Sequence, residues 1–423
     1  MGEMKAKKIL NRLFNTGFFH IFGSNVINKI LAFSGSILLT RILTKSEYGV
    51  YSYANTLMGF FLLVSGFGMV SGLLQVGSEQ KQEEKRLGLY RFACRFGFVF
   101  NLLLAAVILF VALAIPLPIA GSGKILALMC LYPLFTLLRD LKTSYLRAEM
   151  RNQEFSFANT FSSASIVVLS CSMALLFRAE GLVLGQNLAC ILTILFISKK
   201  CGIRTSLANS NLDARDRRDL LGICAICVLN NGLSELMYLL DVFILGLTVP
   251  DETVIASYKV ATTIPTALVF IPQSIIIYVY PYFARNRENR DWLIANYRRL
   301  VLSMGVLNLL VGGGLFLVAP WFVTLVFGER YLDAVLPFQI LCASYIFSGT
   351  FRIVSGNLLV TQRKLKFNLF VAVLSSATNT VLNVFLIRAW GSVGAALATL
   401  ITVLLTSILS TAYLIRTIRA IPQ

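Results

Sequence analysis

Three ionisable residues, Glu235, Asp241 and Lys259, sit within or at the ends of two otherwise apolar runs in the stretch NNGLSELMYLLDVFILGLTVPDETVIASYKVATTIPT, from Asn230 to Thr266. If those runs cross a bilayer, the charges lie at membrane depth, where an ionisable group is costly and by default marks an ion, proton or substrate path. The chemistry open to them is non-covalent: a carboxylate can exchange a cation, and an ammonium can neutralise an anion. Asn231 and Glu235 stack at i, i+4 on one helix face, whereas Asp241 is turned by about 120° from Glu235. Counted inward from the turn at Val249-Pro250-Asp251, Asp241 and Lys259 lie at similar depth on adjacent antiparallel helices. Either they close a structural ion pair, or Asp241 joins Glu235 as a site for coupling to H+ or Na+. If the pair closes, Lys29, Glu235 and Arg352 are the more available charges.

Polar groups gather on two further helix faces. Lys259, Thr262, Thr263 and Thr266 fall at i, i+3, i+4 and i+7, and Gln273 continues the stripe within about 40° of Lys259. Pro265 and Pro272 interrupt the same helix and free carbonyls that need partners in protein or in a water-filled cavity. Asn25, Asn28 and Lys29 form a second cluster, with Lys29 too near mid-span to snorkel to either headgroup layer. Lys29, Lys259 and Arg352, with Asn25, Asn28, Thr262, Thr263 and Thr266, are therefore the candidate substrate-binding residues. Glu235, Asp241 and Asn231 are the candidate ion-coupling or structural groups. The alternative for the threonines is a kinked helix whose hydroxyls bond their own backbone. His20 is the single histidine, and Cys224 to Cys227 has CxxC spacing without a second pair. With no GxxxxGK[ST] and no HExxH either, the sequence offers no catalytic constellation, metal site or cofactor.

The elements that must position these residues are membrane helices. Of the 423 residues 57% are hydrophobic and only 14% charged, against roughly 25% charged in a soluble domain, and mean hydropathy is +0.76. Twelve apolar runs, at about 17–39, 49–73, 92–115, 124–146, 157–177, 181–198, 220–247, 254–280, 300–321, 335–360, 367–387 and 393–415, approach or exceed the roughly 20 residues a spanning helix needs. Continuous apolar segments exclude the alternation of a barrel. The first run, after Lys5, Lys7, Lys8 and Arg12, reads as a membrane helix and not a cleaved signal. The +18 net charge is spread over alternate loops and not gathered for nucleic acid. Of the 38 Lys and Arg, 29 fall in or beside the loops of one side, six on the other, and Lys29, Lys259 and Arg352 deep within spans. The positive-inside rule then places both termini in the cytoplasm.

The expected architecture is an all-α polytopic membrane protein with 12 transmembrane helices in two six-helix lobes, residues 1–198 and 220–423, joined by a solvated cytoplasmic linker, 199–219. EYGVYSY and ETVIASY match at an offset of 205, and RAEG at Arg178 matches RAWG at Arg388 at an offset of 210. An even number of spans per half gives parallel repeats about a pseudo-twofold axis along the membrane normal. At the 205 offset Lys259 corresponds to Ala54, so the cation belongs to one half only.

RILTKSEYGVYSYANTL (41–57), LLDVFILGLTVPDETVIASYKVATTIP (239–265), VYPYFAR (279–285) and FGERYLDAVLPFQIL (327–341) resemble the polysaccharide-biosynthesis export proteins. These are the O-antigen and capsule repeat-unit flippases of the multidrug/oligosaccharidyl-lipid/polysaccharide exporter superfamily, and the likeness runs over nearly the whole chain. It implies two lobes around a cavity that opens alternately to either side of a bacterial inner membrane. The implied substrate is an undecaprenyl-pyrophosphate-linked oligosaccharide, with membrane lipids, a glycan polymerase and a chain-length regulator as partners. Lys29, Lys259 and Arg352 correspond by helix and depth to basic residues that meet the pyrophosphate or acidic sugars in relatives. Peptidoglycan-precursor flippases commonly carry two further C-terminal helices and more basic groups in the first lobe, which this chain lacks. A multidrug or organic-cation antiporter of the same fold, and a non-transporting scaffold of a glycan assembly complex, are the alternatives.

Overall fold

The computed structural model describes residues 18–203, 205 and 212–422, with side chains from 23 onward except those of 230, 231, 233, 234, 237 and 238. The described residues are all-α. Six helices are long and apolar enough to cross a membrane, or seven if Lys45–Leu63 and Ser65–Glu79, bent by 42°, count as one span. The chain divides into two compact units, Met1–Leu239 and Leu240–Gln423, with the division falling inside one helix.

In the first unit, helix α1 (Phe18–Ile42) is tied to α7 (Asn152–Lys200) by buried Ser24, whose hydroxyl donates to the Ser156 carbonyl at 3.0 Å and meets the Thr160 hydroxyl at 2.9 Å. Helix α2 (Lys45–Leu63) starts at a reciprocal cap: Thr44 Oγ1 accepts from Glu47 N, and Glu47 Oε2 accepts from Thr44 N. That satisfies two of the helix's orphan donors. The entry to α9 (Glu252–Leu268) is capped by Asp251, 207 positions after Thr44 and within two residues of the 205 offset. Between α2 and α3 (Met69–Glu79), Gly66, Phe67 and Gly68 all take positive φ, a conformation cheap only for glycine. The broken backbone is answered by Asn101, fully buried on α4 (Glu83–Ala114). Its Oδ1 accepts from Gly66 N at 2.6 Å, and its Nδ2 donates to the Pro133 carbonyl and to Ser65 Oγ. Helices α5 (Ser122–Leu128) and α6 (Tyr132–Ala148) complete the unit with the first part of α8 (Ala214–Thr248).

Helix α7 has 49 residues; straight, it would be about 74 Å long, more than twice a hydrocarbon core of about 30 Å. It does not run straight. Phe177 (φ −125°, ψ 18°) and Arg178 (φ 55°, ψ −137°) turn the chain back. A Cβ at Gly181 or Gly185 would sit well inside contact distance of the Met173 and Leu169 carbonyls respectively. The two limbs are therefore antiparallel and touch backbone to backbone, which only a residue without a side chain allows. The second unit repeats this. In α15 (Leu365–Arg419), Trp390 (φ −135°, ψ 15°) and Gly391 (φ 54°, ψ −128°) make the turn, and Gly394 abuts the Leu386 carbonyl. Every member of this set lies 213 positions after its counterpart, from Phe177 and Trp390 to Gly181 and Gly394. The RAEG–RAWG match at 210 is thus out of register by three. What recurs is the backbone turn and the glycine at the close approach, not the arginine.

In the second unit α9 and α10 (Phe270–Arg285) meet at Val269, whose backbone stays in the helical region, so the proline-bearing segment Glu252–Arg285 is one span with a local interruption. Helix α11 (Arg290–Asn308) runs through a π-helical turn, Leu309–Gly313; beyond it lie α12 (Ala319–Phe327) and α13 (Val335–Phe347). A second π-turn, Ser348–Arg352, leads into α14 (Ile353–Thr361). Fully buried Asn308 joins the two π-turns, accepting from Tyr345 Oη at 2.7 Å and donating to Thr350 Oγ1. Gly312 packs directly on Ile346 and Tyr345, whereas a Cβ at Gly314 would meet nothing, so within the glycine-rich segment 305–314 the close packing contact is at Gly312. The linker also differs from the solvated strand expected. Lys142, fully buried, donates to the Ile203 carbonyl and to Ser198 Oγ, Arg151 donates to the Cys201 carbonyl, and Ile203 and Leu212 are buried in the core around Leu89 and Cys94. Both described ends of the linker are therefore pinned to the first unit. Glu154 is held below the usual carboxylate range by its hydrogen bond from Arg151.

Replacing Gly181 or Gly394 with Ala is expected to destabilise the protein by about 1–3 kcal/mol or more, the usual penalty for overpacking. Gly314→Ala and Gly356→Ala, where a Cβ meets nothing, serve as controls. Thermal unfolding in detergent reads the difference, and equal melting of all four variants would refute the hairpin contact.

Candidate functional site

Asp241 lies on α8 just inside the second unit. Its carboxylate is not paired with Lys259: among the described residues no ion pair within 4.0 Å joins them, although the two charges interact through space. Three uncharged donors hold it instead. Asn383 Nδ2 donates to Oδ1 at 2.6 Å, while Tyr258 Oη and Thr399 Oγ1 donate to Oδ2 at 3.1 and 3.3 Å. Asn383 also donates to Asn379 Oδ1 at 3.0 Å, and Asn379, Asn383 and Tyr258 are all buried. The donors come from three places, α9 and both limbs of α15, so the hairpin turn at Trp390–Gly391 is what lets Asn383 and Thr399 meet one carboxylate. Sequence reasoning finds Asp241 but not Asn379, Asn383 or Thr399. The asparagines sit at i, i+4 in an apolar run, the same signal that flags Asn25 and Lys29.

Lys259 follows Tyr258 on α9 and is half-buried. The Lys259 carbonyl accepts the hydroxyls of Thr262 and Thr263 at 2.9 and 2.7 Å, and Thr266 donates to the Thr262 carbonyl at 2.7 Å. The threonine stripe therefore spends its donors on its own helix ahead of Pro265, leaving hydroxyl lone pairs as its remaining polar capacity. Arg352, half-buried, closes the second π-turn. Such turns inside α-helices occur frequently at functional sites.

In the first unit Lys29 and Asn25 are exposed on one face of α1, and Asn28 is half-buried with Nδ2 donating to Ser24 Oγ at 3.4 Å. Asn28 Oδ1 is buried without a partner. The Asn231 side chain, like that of His20, lies outside the described residues. Glu235 is exposed and lines a cavity of about 470 Å³ with Arg139, Asp140, Tyr132, Thr136 and Ser71. Arg139 Nε donates to Asp140 Oδ1 at 2.8 Å, and its Nη1 reaches Ser162 and Cys190. The cavity's charged lining is thus one guanidinium and two carboxylates. Counting charges along the sequence assigns Arg139 to a loop margin, because α6 carries Arg139, Asp140 and Lys142 so close to its basic end that they read as flanking charge.

The sequence matches the family described as "Polysaccharide biosynthesis protein" over residues 38–336. It is 22% identical over 409 residues to a protein of Haloferax volcanii described as a probable low-salt glycan biosynthesis flippase, Agl15, covering 93% of this chain and 82% of that one. Among solved structures, the lipid II flippase MurJ in an inward closed conformation is similar with a TM-score of 0.73 at 16% identity, covering 95% of this chain and 88% of that one. An inward-facing multidrug resistance MATE family transporter, of the MOP superfamily, is similar with a TM-score of 0.71 at 12% identity, covering 93% of this chain and 96% of that one. The fold is similar to that of these membrane transporters.

Asp241→Ala should leave Tyr258 Oη and one N–H of the Asn383 amide without an acceptor and destabilise the protein by roughly 2–4 kcal/mol, whereas Glu235→Ala, on an exposed side chain, should change stability by no more than about 0.5 kcal/mol. Thermal unfolding in detergent measures both. Similar stability of the two variants would show that the Asp241 network is not formed.

Proposed function

The chain belongs to the polysaccharide biosynthesis protein family, and from that premise we propose that it flips an undecaprenyl-pyrophosphate-linked oligosaccharide repeat unit from the inner to the outer leaflet of a bacterial inner membrane by alternating access. The family match carries this reading, since it joins a glycan pathway to a transporter fold. In this reading twelve spans form two six-helix lobes, 1–198 and 220–423, about a pseudo-twofold axis, with 199–219 as linker and both termini cytoplasmic. Counting the two glycine-faced hairpins as two spans each raises seven to nine, and the repetition of their geometry at one offset accords with related halves.

The prenyl tail stays in lipid while the sugars and diphosphate cross through a hydrated path that spares them from hydrocarbon. Lys29, Lys259 and Arg352 offset the diphosphate charge. Lys259 is fit for this because no carboxylate among the described residues forms an ion pair with it. Asn25, Asn28 and the hydroxyls of Thr262, Thr263 and Thr266 offer hydrogen-bonding capacity to the sugars. Asp241, held by neutral donors, is the group that a coupling H+ or Na+ would meet, with Glu235 and Asn231 as the further candidates. Membrane potential, worth roughly 2.3 kcal/mol per charge per 100 mV, can give direction to a charged headgroup.

A second reading, export of organic cations, is favoured by one observation, the two carboxylates and one guanidinium around the first unit's cavity. Resistance to cytotoxic cations on expression would support it. For the flippase reading, Lys259→Ala, Lys29→Ala and Arg352→Ala are each expected to lower surface glycan about tenfold at matched protein level, the scale of one lost charge-assisted contact, and Lys259→Arg is expected to retain most of it. Undiminished glycan in all three alanine variants would exclude the cationic role.

A further inference from the structure

The second unit holds a basic cavity of about 710 Å³ on the side of the molecule that carries its C-terminus. Its charged lining is Arg287, Glu288, Arg363, Lys364 and Arg416, drawn from the turn between α10 and α11, the turn between α14 and α15, and the last turn of α15. Arg287 is paired with Glu288 at 3.1 Å. Arg363, Lys364 and Arg416 make no ion pair among the described residues, so four cations face one carboxylate. Gln362, also in the lining, has a buried Nε2 without an acceptor. Beside these groups lie Tyr413, stacked on Phe367 with centroids 3.7 Å apart, and Ile421.

Basic loops on one membrane side are ordinary, and the first unit supplies a control for that effect. The corner before α15 turns at Arg363 (φ 57°), with Lys364 N donating to the Leu359 carbonyl at 2.9 Å. The corner before α7 turns the same way at Met150 (φ 59°), with Arg151 N donating to the Leu146 carbonyl at 3.0 Å. The corners are 213 positions apart, the spacing already seen in the hairpins. In the first unit the cation is consumed: Arg151 is bound by Glu149 and Glu154, and Glu149 also meets Arg86. At the corresponding positions the second unit has Gln362 and Phe367. The same backbone corner has no carboxylate at either position and carries two cations, Arg363 and Lys364, where the first unit has Met150 and Arg151, which leaves an amide donor, three cations without an ion pair among the described residues and an aromatic wall around one cavity. Unpaired like charges brought together from three segments repel one another; an anion placed among them removes that repulsion.

We propose that this cavity binds the phosphate headgroup of an anionic phospholipid, with Arg363, Lys364, Arg416 and the Gln362 amide on the phosphate and Tyr413 and Ile421 against the glycerol and upper acyl chain. Basic pockets at helix ends bind lipid headgroups in this manner. Only the assignment to the cytoplasmic leaflet rests on the orientation proposed above.

The test is native mass spectrometry of the purified full chain titrated with dioleoylphosphatidylglycerol. Wild type should hold one tightly bound lipid. Arg363→Gln/Lys364→Gln/Arg416→Gln should weaken it roughly a hundredfold with an unchanged lipid-free melting temperature. A charge-matched control, Lys81→Gln/Lys199→Gln/Arg215→Gln, should bind as wild type. Equal binding by the first variant, or equal weakening in the control, overturns the site. Displacement of the lipid by millimolar inorganic phosphate, or by a polyprenyl diphosphate at equal concentration, overturns phospholipid as the occupant. The readout is binding alone. A variant that loses lipid yet exports glycan therefore supports the inference, and a wild type that binds lipid but flips no glycan removes the functional reading while leaving this one intact.

Discussion

A carboxylate set among apolar side chains has to be answered by something in the chain, because those side chains offer it nothing. At Asp241 the answer is three neutral donors, from Tyr258, Asn383 and Thr399, although a lysine stands one residue from Tyr258. A carboxylate locked to an ammonium would have both charges spent on each other, and breaking such a buried pair is strongly unfavourable. With neutral donors around Asp241, a cation or proton can be added without breaking an ion pair, and Lys259 is in no ion pair among the described residues. Fixing this arrangement needs a helix on each side, and the reversal at Trp390–Gly391 supplies two of the three donors from one hairpin.

The same demand for internal partners accounts for the irregular segments. Where α2 breaks into α3 through three left-handed residues, Asn101 takes up the buried Gly66 amide and binds the Pro133 carbonyl on the other side. Where α11 and α13 loosen into π-turns, Asn308 bridges them through Tyr345 and Thr350. Both asparagines are fully buried in otherwise apolar surroundings. Each broken segment is therefore held in one geometry by a single amide side chain.

Membrane helices were legible in the sequence because apolar runs of lipid length, repeated along the whole chain, exceed what a water-soluble core could bury, and Glu235, Asp241 and Lys259 stood out as charges within them. The partners of Asp241 were not, since an asparagine pair on one helix and a threonine on the next limb are brought together only by a tight reversal. That reversal depends on what a Cβ would meet at Gly181 and Gly394, and a string of letters carries no such distance. The repeat was visible, but its register near Arg178 was drawn to the charged residue when glycine at the close approach is the physical constraint. Arg139 and Lys142 were hidden for the opposite reason. A cation near a helix end reads as topology, whereas here one faces a cavity and the other pins the linker through the Ile203 carbonyl.

Comparing the two units at the 213 spacing separates what builds the frame from what acts on a ligand. The positive-φ corners at Met150 and Arg363, the turns at Phe177 and Trp390, and the glycines at 181 and 394 agree in both. They are backbone requirements, and any chain folding this way must meet them. The charges do not agree: Glu149 and Glu154 are answered by Gln362 and Phe367, and Lys259 has an uncharged counterpart, Ala54 at an offset of 205 or Ser52 at 207. Packing gives no reason for such differences, because the backbone around each corner is the same. A ligand gives one. The unlike ends of a ligand can be told apart at such corners only through the side chains that differ, since the backbone there is common to both.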